Sequence, residues 1–313
     1  MAQGASLTSG ARPAPTRIGV VLHILEDQPW GAQVKADLLA LLAADGLELE
    51  FADPHGDPGE QVAMVERFLR ARVNVLLVAP IDGEALKPVL RRYQAAGIPV
   101  IAFDNDLGEP ALYRSLILAD NALFGRKMGE FFAEVTEGRA NLVELCGPPS
   151  TSAAADRSRG FREAIAATPD VRVVESCTAG WRRDRAQDQM IRLLENHPHL
   201  DGVFAQNDEM AVGAWEAAVR AGRAEELLIT GIDALRGENG LHLVMQGRLA
   251  ATLINPSPAR AAVDALHAVL AGERCLERTL LQTSLLRSGI RISAWKAYRE
   301  AASARADTHA QPR

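Results

Sequence analysis

Asp104, Asn207, Asp233 and Asn255 share one setting in the sequence. Each stands at the carboxyl end of a short apolar run, just before a turn or a helical pattern. Asn105 extends the first of them. In Phe204-Ala-Gln-Asn-Asp-Glu-Met210 the polar turn Gln206-Asn207-Asp208 separates an apolar run from a helix start. In parallel α/β folds ligands sit outside the carboxyl ends of the strands, so polar side chains gathered there are candidates for binding. The residue types define the chemistry: a carboxylate accepts hydrogen bonds, a carboxamide donates and accepts, and an arginine supplies a rigid fork of donors. Trp30 and Trp181, both in turns, offer flat faces of the kind that stack on the C–H faces of a sugar ring. Gln28, in the loop after the first apolar run, is a further candidate contact. The set can accept from and donate to hydroxyl groups such as those of a sugar. An anion would be repelled by Asp104 and Asp233, one of which is expected to neutralise Arg157. Within its own turn, Asp208 is expected to be the helix N-cap and Asn207 the ligand contact.

The same residues can be tested against catalysis. Asp104 and Asp233, facing one another from two domains, would form the carboxylate pair of a glycosidase. No activated nucleophile accompanies them, and GxxxxGK[ST], GxSxG, HExxH and GxGxxG are all absent. An enzyme is not expected, nor is a cofactor or a metal. His197 and His199 stand ahead of an apolar run, at the end away from the expected cleft, and lack a third ligand. Cys146, Cys177 and Cys275 are widely spaced without a CxxC and read as buried thiols.

A repeating frame must position these residues. Apolar runs at 17–22, 47–52, 75–78 and 100–103 alternate with helical patterns at 30–44, 61–70 and 84–96. Each run is nearly continuous in its hydrophobicity, which suits a parallel strand buried on both faces. Gly46 and Gly97 stand where helix C-caps are needed. A second series begins after Asp120, with strands at 141–145, 171–177, 202–204 and 227–230 and helices at 121–135, 152–167, 184–195, 208–221 and 236–245. A last helix at 259–271 and strands at 279–285 and 290–293 are expected to return to the two domains. Two βαβ series of similar size predict two doubly wound Rossmann-like α/β domains.

Composition agrees with that frame. The 313 residues suffice for two domains, and 48% hydrophobic with 24% charged residues is an ordinary globular balance. A formal net charge of −6 gives no electrostatic reason to expect nucleic acid or an anionic membrane as partner. No apolar run reaches the length of a membrane span. Residues 1–16 read as a flexible leader without the basic start and apolar run of a signal peptide.

Several motifs in register resemble one family. Phe204-Ala-Gln-Asn-Asp-Glu-Met-Ala-Val-Gly213, Ser150-Thr-Ser-Ala-Ala154, Arg159-Gly-Phe161 and Leu249-Ala-Ala-Thr252 are similar to those of the periplasmic ribose-binding proteins, the type I solute-binding proteins of sugar ABC transporters. The likeness runs from about Arg17 to Trp295. It implies two lobes joined by three crossovers: 17–119 plus 256–284, and 120–255 plus 285–296, with 297–313 as a tail. Hinge strands are expected near Ala119–Asp120, Asn255–Pro256 and Leu285–Ser288. By position, the resemblance makes Asp104, Arg157, Asn207, Asp233 and Asn255 polar sugar ligands and makes Trp30 and Trp181 the stacking rings. Departures bear on which sugar is taken: Ala79 and Ala119 replace polar groups of ribose binders, Asn105 replaces an arginine, and Gly31 and Ile232 lack aromatic rings. The loop 23–28 is one residue longer.

The resemblance further implies a monomeric periplasmic receptor that closes over its ligand and presents it to a membrane permease, with a chemoreceptor as a second reader of the closed form. The alternative is the effector domain of a lactose-repressor-type regulator. That reading calls for a helix-turn-helix ahead of the first strand, where this sequence has a short leader.

Overall fold

The computed structural model describes residues 15–23, 29–235 and 240–309. The chain begins with β1 (Arg17–Val21), α1 (Pro29–Leu42), β2 (Glu48–Ala52), α2 (Pro58–Arg70), β3 (Val75–Val78), α3 (Gly83–Ala95), β4 (Val100–Phe103) and β5 (Ser115–Ala119). It continues with α4 (Asn121–Val135), β6 (Ala140–Cys146), α5 (Ser152–Ile165), β7 (Val171–Thr178), α6 (Arg183–Asn196), β8 (Gly202–Ala205), α7 (Asp208–Arg220) and β9 (Leu228–Asp233). The last elements are α8 (Gly240–Met245), β10 (Ala251–Ile254), α9 (Ala259–Leu270), β11 (Arg278–Leu281), β12 (Leu285–Arg287) and α10 (Gly289–His309).

Sequence accounts for these elements locally. Strands such as β3 and β4 are apolar throughout and buried at every position. Asp57, Asp82, Asp120 and Thr151 cap α2, α3, α4 and α5 through their side-chain oxygens.

The strands form two six-stranded sheets, in the orders β2-β1-β3-β4-β5-β11 and β7-β6-β8-β9-β10-β12. All pairings are parallel except that of β12 with β10. Each sheet therefore repeats the doubly wound order in which the chain reverses direction between its first and third strands, the place where such folds bind ligands. The chain passes between the sheets after β5, between β10 and α9, and between β11 and β12. On the first sheet, Ala262, Val263 and Leu266 of α9 pack with Ile18 and Val20 of β1 and with Leu38 of α1. On the second, Phe124, Phe132, Phe161 and Phe204 join α4, α5 and β8.

The C-terminal expectation needs correction. Residues 290–293 are not a strand but the first turn of α10, and the helix continues through the expected tail to His309. Buried Arg291 donates to the Leu227 carbonyl at 2.9 Å, and Trp295 Nε1 donates to the Glu226 carbonyl at 3.0 Å. Those anchors override the strand-like alternation of Ile290 to Ser293. The single strand expected at 279–285 is two, because residues 282–284 carry the chain from one sheet to the other. β5 is an addition to the elements read from the sequence, and β10 gives bounds to the apolar run expected ahead of Asn255.

Candidate ligand-binding cleft

The carboxyl ends of both sheets face one cavity of about 520 Å³, within the range of small-molecule sites. Its walls include Trp30 at the start of α1, Asp104 and Asn105 after β4, Arg157 in α5, and Trp181 after β7. Asn207 after β8, Asp233 at the end of β9 and Asn255 after β10 complete the set. Eight of the nine candidate residues thus converge there. The ninth, Gln28, lies outside the described residues.

Arg157 is held by neutral acceptors. Its Nε donates to Asn121 Oδ1 at 2.8 Å and one terminal nitrogen donates to the Gln206 carbonyl. Its guanidinium lies over the rings of Phe124 and Trp181, 5.5 and 5.3 Å from their centroids. Among the described residues it has no ion pair; Asp233 and Asp104, expected to neutralise it, offset its charge through space and without a hydrogen bond. Gly125 makes the placement of this stretch possible, since a Cβ there would lie 2.0 Å from the Arg157 carbonyl oxygen.

The turn after β8 divides its work differently from the sequence reading. Asn207, not Asp208, is the N-cap of α7: its Oδ1 accepts from Met210 N at 2.9 Å, while its Nδ2 donates to the Trp181 carbonyl at 3.2 Å. Asp208 is the first helical residue, and its buried carboxylate accepts from Thr252 Oγ1 at 2.7 Å and Ala234 N at 2.8 Å. Gln206, which the sequence left without a role, is fully buried behind the cleft. It accepts from Gly147 N at 2.9 Å and donates to Glu144 and Ser158 at 3.0 Å each. Ser158, Ser176 and Arg162 also donate to the Glu144 carboxylate.

The two aspartates of the cleft are electrostatically costly. Burial raises Asp104 to about 7 against the attraction of Arg157, and raises Asp233 to about 6 against Arg157 and the Asn255 hydrogen bond. Burial, with Asp233 nearby, lifts Asp208 to about 7. Asn255 Nδ2 donates to Asp233 Oδ1 at 3.1 Å, and Asn105 Nδ2 donates to Asp104 Oδ2 at 3.0 Å. The backbone is also unusual: Asp104, Trp181 and Asp233 have φ of 74°, 66° and 133°. Such conformations carry strain and persist where the surroundings over-determine them, as at binding sites.

The tryptophans stand one in each half of the cleft. Trp181 lies so close to Gly147 that a Cβ there would fall 2.1 Å from its ring. Trp30 Nε1 is buried without a hydrogen-bond partner among the described residues.

A family model described as a periplasmic binding protein domain matches residues 18–274. The ribose import binding protein RbsB of Salmonella typhimurium is 35% identical over 246 residues, which are 78% of this chain and 79% of that protein. The chain belongs to the periplasmic binding protein family. The fructose-binding periplasmic domain of the hybrid two-component system BT1754 superposes on this binding protein with a TM-score of 0.83 and 29% identity, covering 93% of this chain and 97% of that one. The binding protein of the arabinose ABC transporter from Shewanella sp. ANA-3, bound to α- and β-L-arabinofuranose, does so with a TM-score of 0.82 and 26% identity, covering 92% and 97%. These matches bear out the sequence reading of a non-enzymatic solute-binding protein of the sugar-transport type with a type I fold.

The binding protein's cleft also holds residues the sequence reading passed over. His55, at φ 47°, lines it from the loop after β2; applying the strand-end rule to β2 as well would have found it. Arg182 and Arg185 line it beside Trp181. A second hollow of about 690 Å³ lies at the opposite, amino ends of β6, β7 and β8, beside α10. His199 lines it, as its place ahead of a strand predicts, and Arg172 and Arg299 there pair with Asp170 and Asp201. No group of His, Cys, Asp and Glu suited to a metal occurs among the described residues. The cysteines are free and partly exposed, not fully buried.

Proposed function

We propose that the protein captures a monosaccharide or polyol in this cleft and delivers it to the permease of an ABC transporter. The lobes of the proposal are 17–119 plus 256–284, and 120–255 plus 285–296. One observation carries the site assignment: hydrogen-bonding capacity left over from protein contacts faces a single cavity from both lobes. Asp104 and Asp233 each have one carboxylate oxygen engaged by a neighbouring carboxamide, leaving the other to accept from a hydroxyl. Arg157 uses Nε and one terminal nitrogen on the protein, leaving donors for a ring or hydroxyl oxygen. Asn255 retains its Oδ1 and Asn207 one N–H. Trp30 and Trp181 supply flat walls, and Gln28 is assigned a contact from its place in the loop. Ala79 lines the cavity without a polar group, which supports a hydroxyl pattern other than that of ribose.

A ligand that touches both lobes stabilises the closed form by contacts the open form lacks. The closed form then presents a surface built from both lobes, which the permease reads and a chemoreceptor could share. The receptor of this proposal is a periplasmic monomer, a reading supported by the match to a periplasmic binding protein domain over residues 18–274. A thermal-shift screen against pentoses, hexoses and polyols tests the reading. A ligand at about 100 times its dissociation constant adds roughly 2.7 kcal/mol of stability. A panel without a single stabilising member would overturn it.

A further inference from the structure

Asn105 lines the cavity, yet its carboxamide is fully committed to the protein. Nδ2 donates to the Pro80 carbonyl and to Asp104 Oδ2, each at 3.0 Å. Oδ1 accepts from Ala153 N at 3.1 Å and Ser152 Oγ at 3.3 Å. A carboxamide has two N–H donors and two acceptor lone pairs, so nothing remains for a hydroxyl of the ligand. Pro80 and Asp104 belong to the first sheet's strand ends, whereas Ser152 and Ala153 open α5 on the second. Asn105 therefore reaches across the cleft and caps the helix of the opposite lobe beside that helix's own cap, Thr151. The neighbouring backbone joins in: Asp106 N donates to Ser152 Oγ at 2.9 Å.

We infer that Asn105 and Ser152 form an interlobe latch, which holds this receptor closed by protein–protein hydrogen bonds and makes Asn105 a positioning residue, not a sugar contact. The inference rests on the receptor reading above. Opening the cleft breaks these three hydrogen bonds, together with the longer one from Ser150 Oγ to the Ile81 carbonyl at 3.5 Å, and none of them needs a ligand. The latch also touches the ligand-facing wall, because the same carboxamide that grips α5 orients Asp104. An arginine at this position, as in ribose binders, would instead send charged donors toward the ligand. Apparent affinity scales with the fraction of receptor in the binding-competent form, so a latch that raises the closed fraction tightens binding of every ligand alike.

The test uses the whole chain with Asn105→Ala and Ser152→Ala. Ser152 does not line the cavity, and its substitution leaves the Pro80 and Asp104 contacts intact. Small-angle scattering of the unliganded chains should show a larger radius of gyration for both variants than for the parent. Calorimetric titration with two sugars that bind the parent should show both affinities lowered by the same factor in Ser152→Ala, and a larger loss, on the order of tenfold, in Asn105→Ala, which also frees Asp104. The double variant should lose less than the product of the single losses. A change in the ratio of the two affinities in Asn105→Ala, with Ser152→Ala unchanged, would make Asn105 a ligand contact and overturn the latch. Unaltered scattering in both variants would overturn it as well. The scattering arm needs no ligand, so failure of the receptor reading, seen as a parent chain that binds no sugar, is distinguishable from failure of the latch.

Discussion

The Asp208 carboxylate accepts a 2.7 Å hydrogen bond from the Thr252 hydroxyl, tying the first residue of α7 to β10 with both groups buried. Its other oxygen accepts from Ala234 N at 2.8 Å, so one side chain fixes the turn that carries Asp233 in its strained conformation. Asp208→Ala leaves a hydroxyl and an amide without partners in the interior. The expected loss is about 1–3 kcal/mol of folding stability, measured by urea denaturation of the unliganded protein. Thr252→Val keeps the shape and the Ala234 contact and should lose less.

The three raised carboxylates set the direction of a pH dependence. Asp104 and Asp208 titrate near 7 and Asp233 near 6 in the fold, against about 4 in an unfolded chain. Between those limits the folded state holds more protons than the unfolded state, so stability falls as pH rises. Thermal melts of the unliganded protein should give a higher Tm near pH 5 than near pH 8, with a shallower slope in Asp208→Asn. A ligand whose hydroxyls donate to Asp104 and Asp233 favours their ionised forms. The shift it produces should therefore be larger near pH 8 than near pH 5.

What the sequence made legible follows from where the determining forces act. Strands such as Val75–Val78 are apolar at every position, and the polar residues after them stand out because the sheet buries everything else. The strand-end rule therefore found Asp104, Asn207, Asp233 and Asn255 without coordinates. The division of labour between Asn207 and Asp208 stayed hidden, since both are good caps and only the distant Thr252 decides between them. Gln206 and Glu144 were illegible for the same reason: their partners lie on α5, β6 and β7, and no local spacing joins them. Strand β10 was legible only as the apolar run ahead of Asn255, without bounds, because no turn signal marks its start after Leu249-Ala-Ala-Thr252.

Removing either cleft carboxylate should act on binding. Asp104→Ala and Asp233→Ala are each expected to cost about 1–3 kcal/mol of ligand binding, the range for a buried group left unpartnered. Calorimetric titration with a ligand from the thermal-shift panel measures it. Retained affinity in both would move the ligand elsewhere in the cleft.

Gly147 and Trp181 offer a test of the wall itself. A methyl at residue 147 would sit 2.1 Å from the indole, and Trp181 is pinned behind by its left-handed backbone and the Arg157 guanidinium. Gly147→Ala must therefore push the ring into the cleft or strain the backbone, at about 1–3 kcal/mol. Ligand affinity should fall by roughly the same amount, with tryptophan emission altered and the far-ultraviolet spectrum unchanged. Adding Trp181→Leu relieves the clash. The double variant should recover the lost stability in urea titrations while affinity stays low, because the flat wall is gone; recovery of both would show that Trp181 does not contact the sugar.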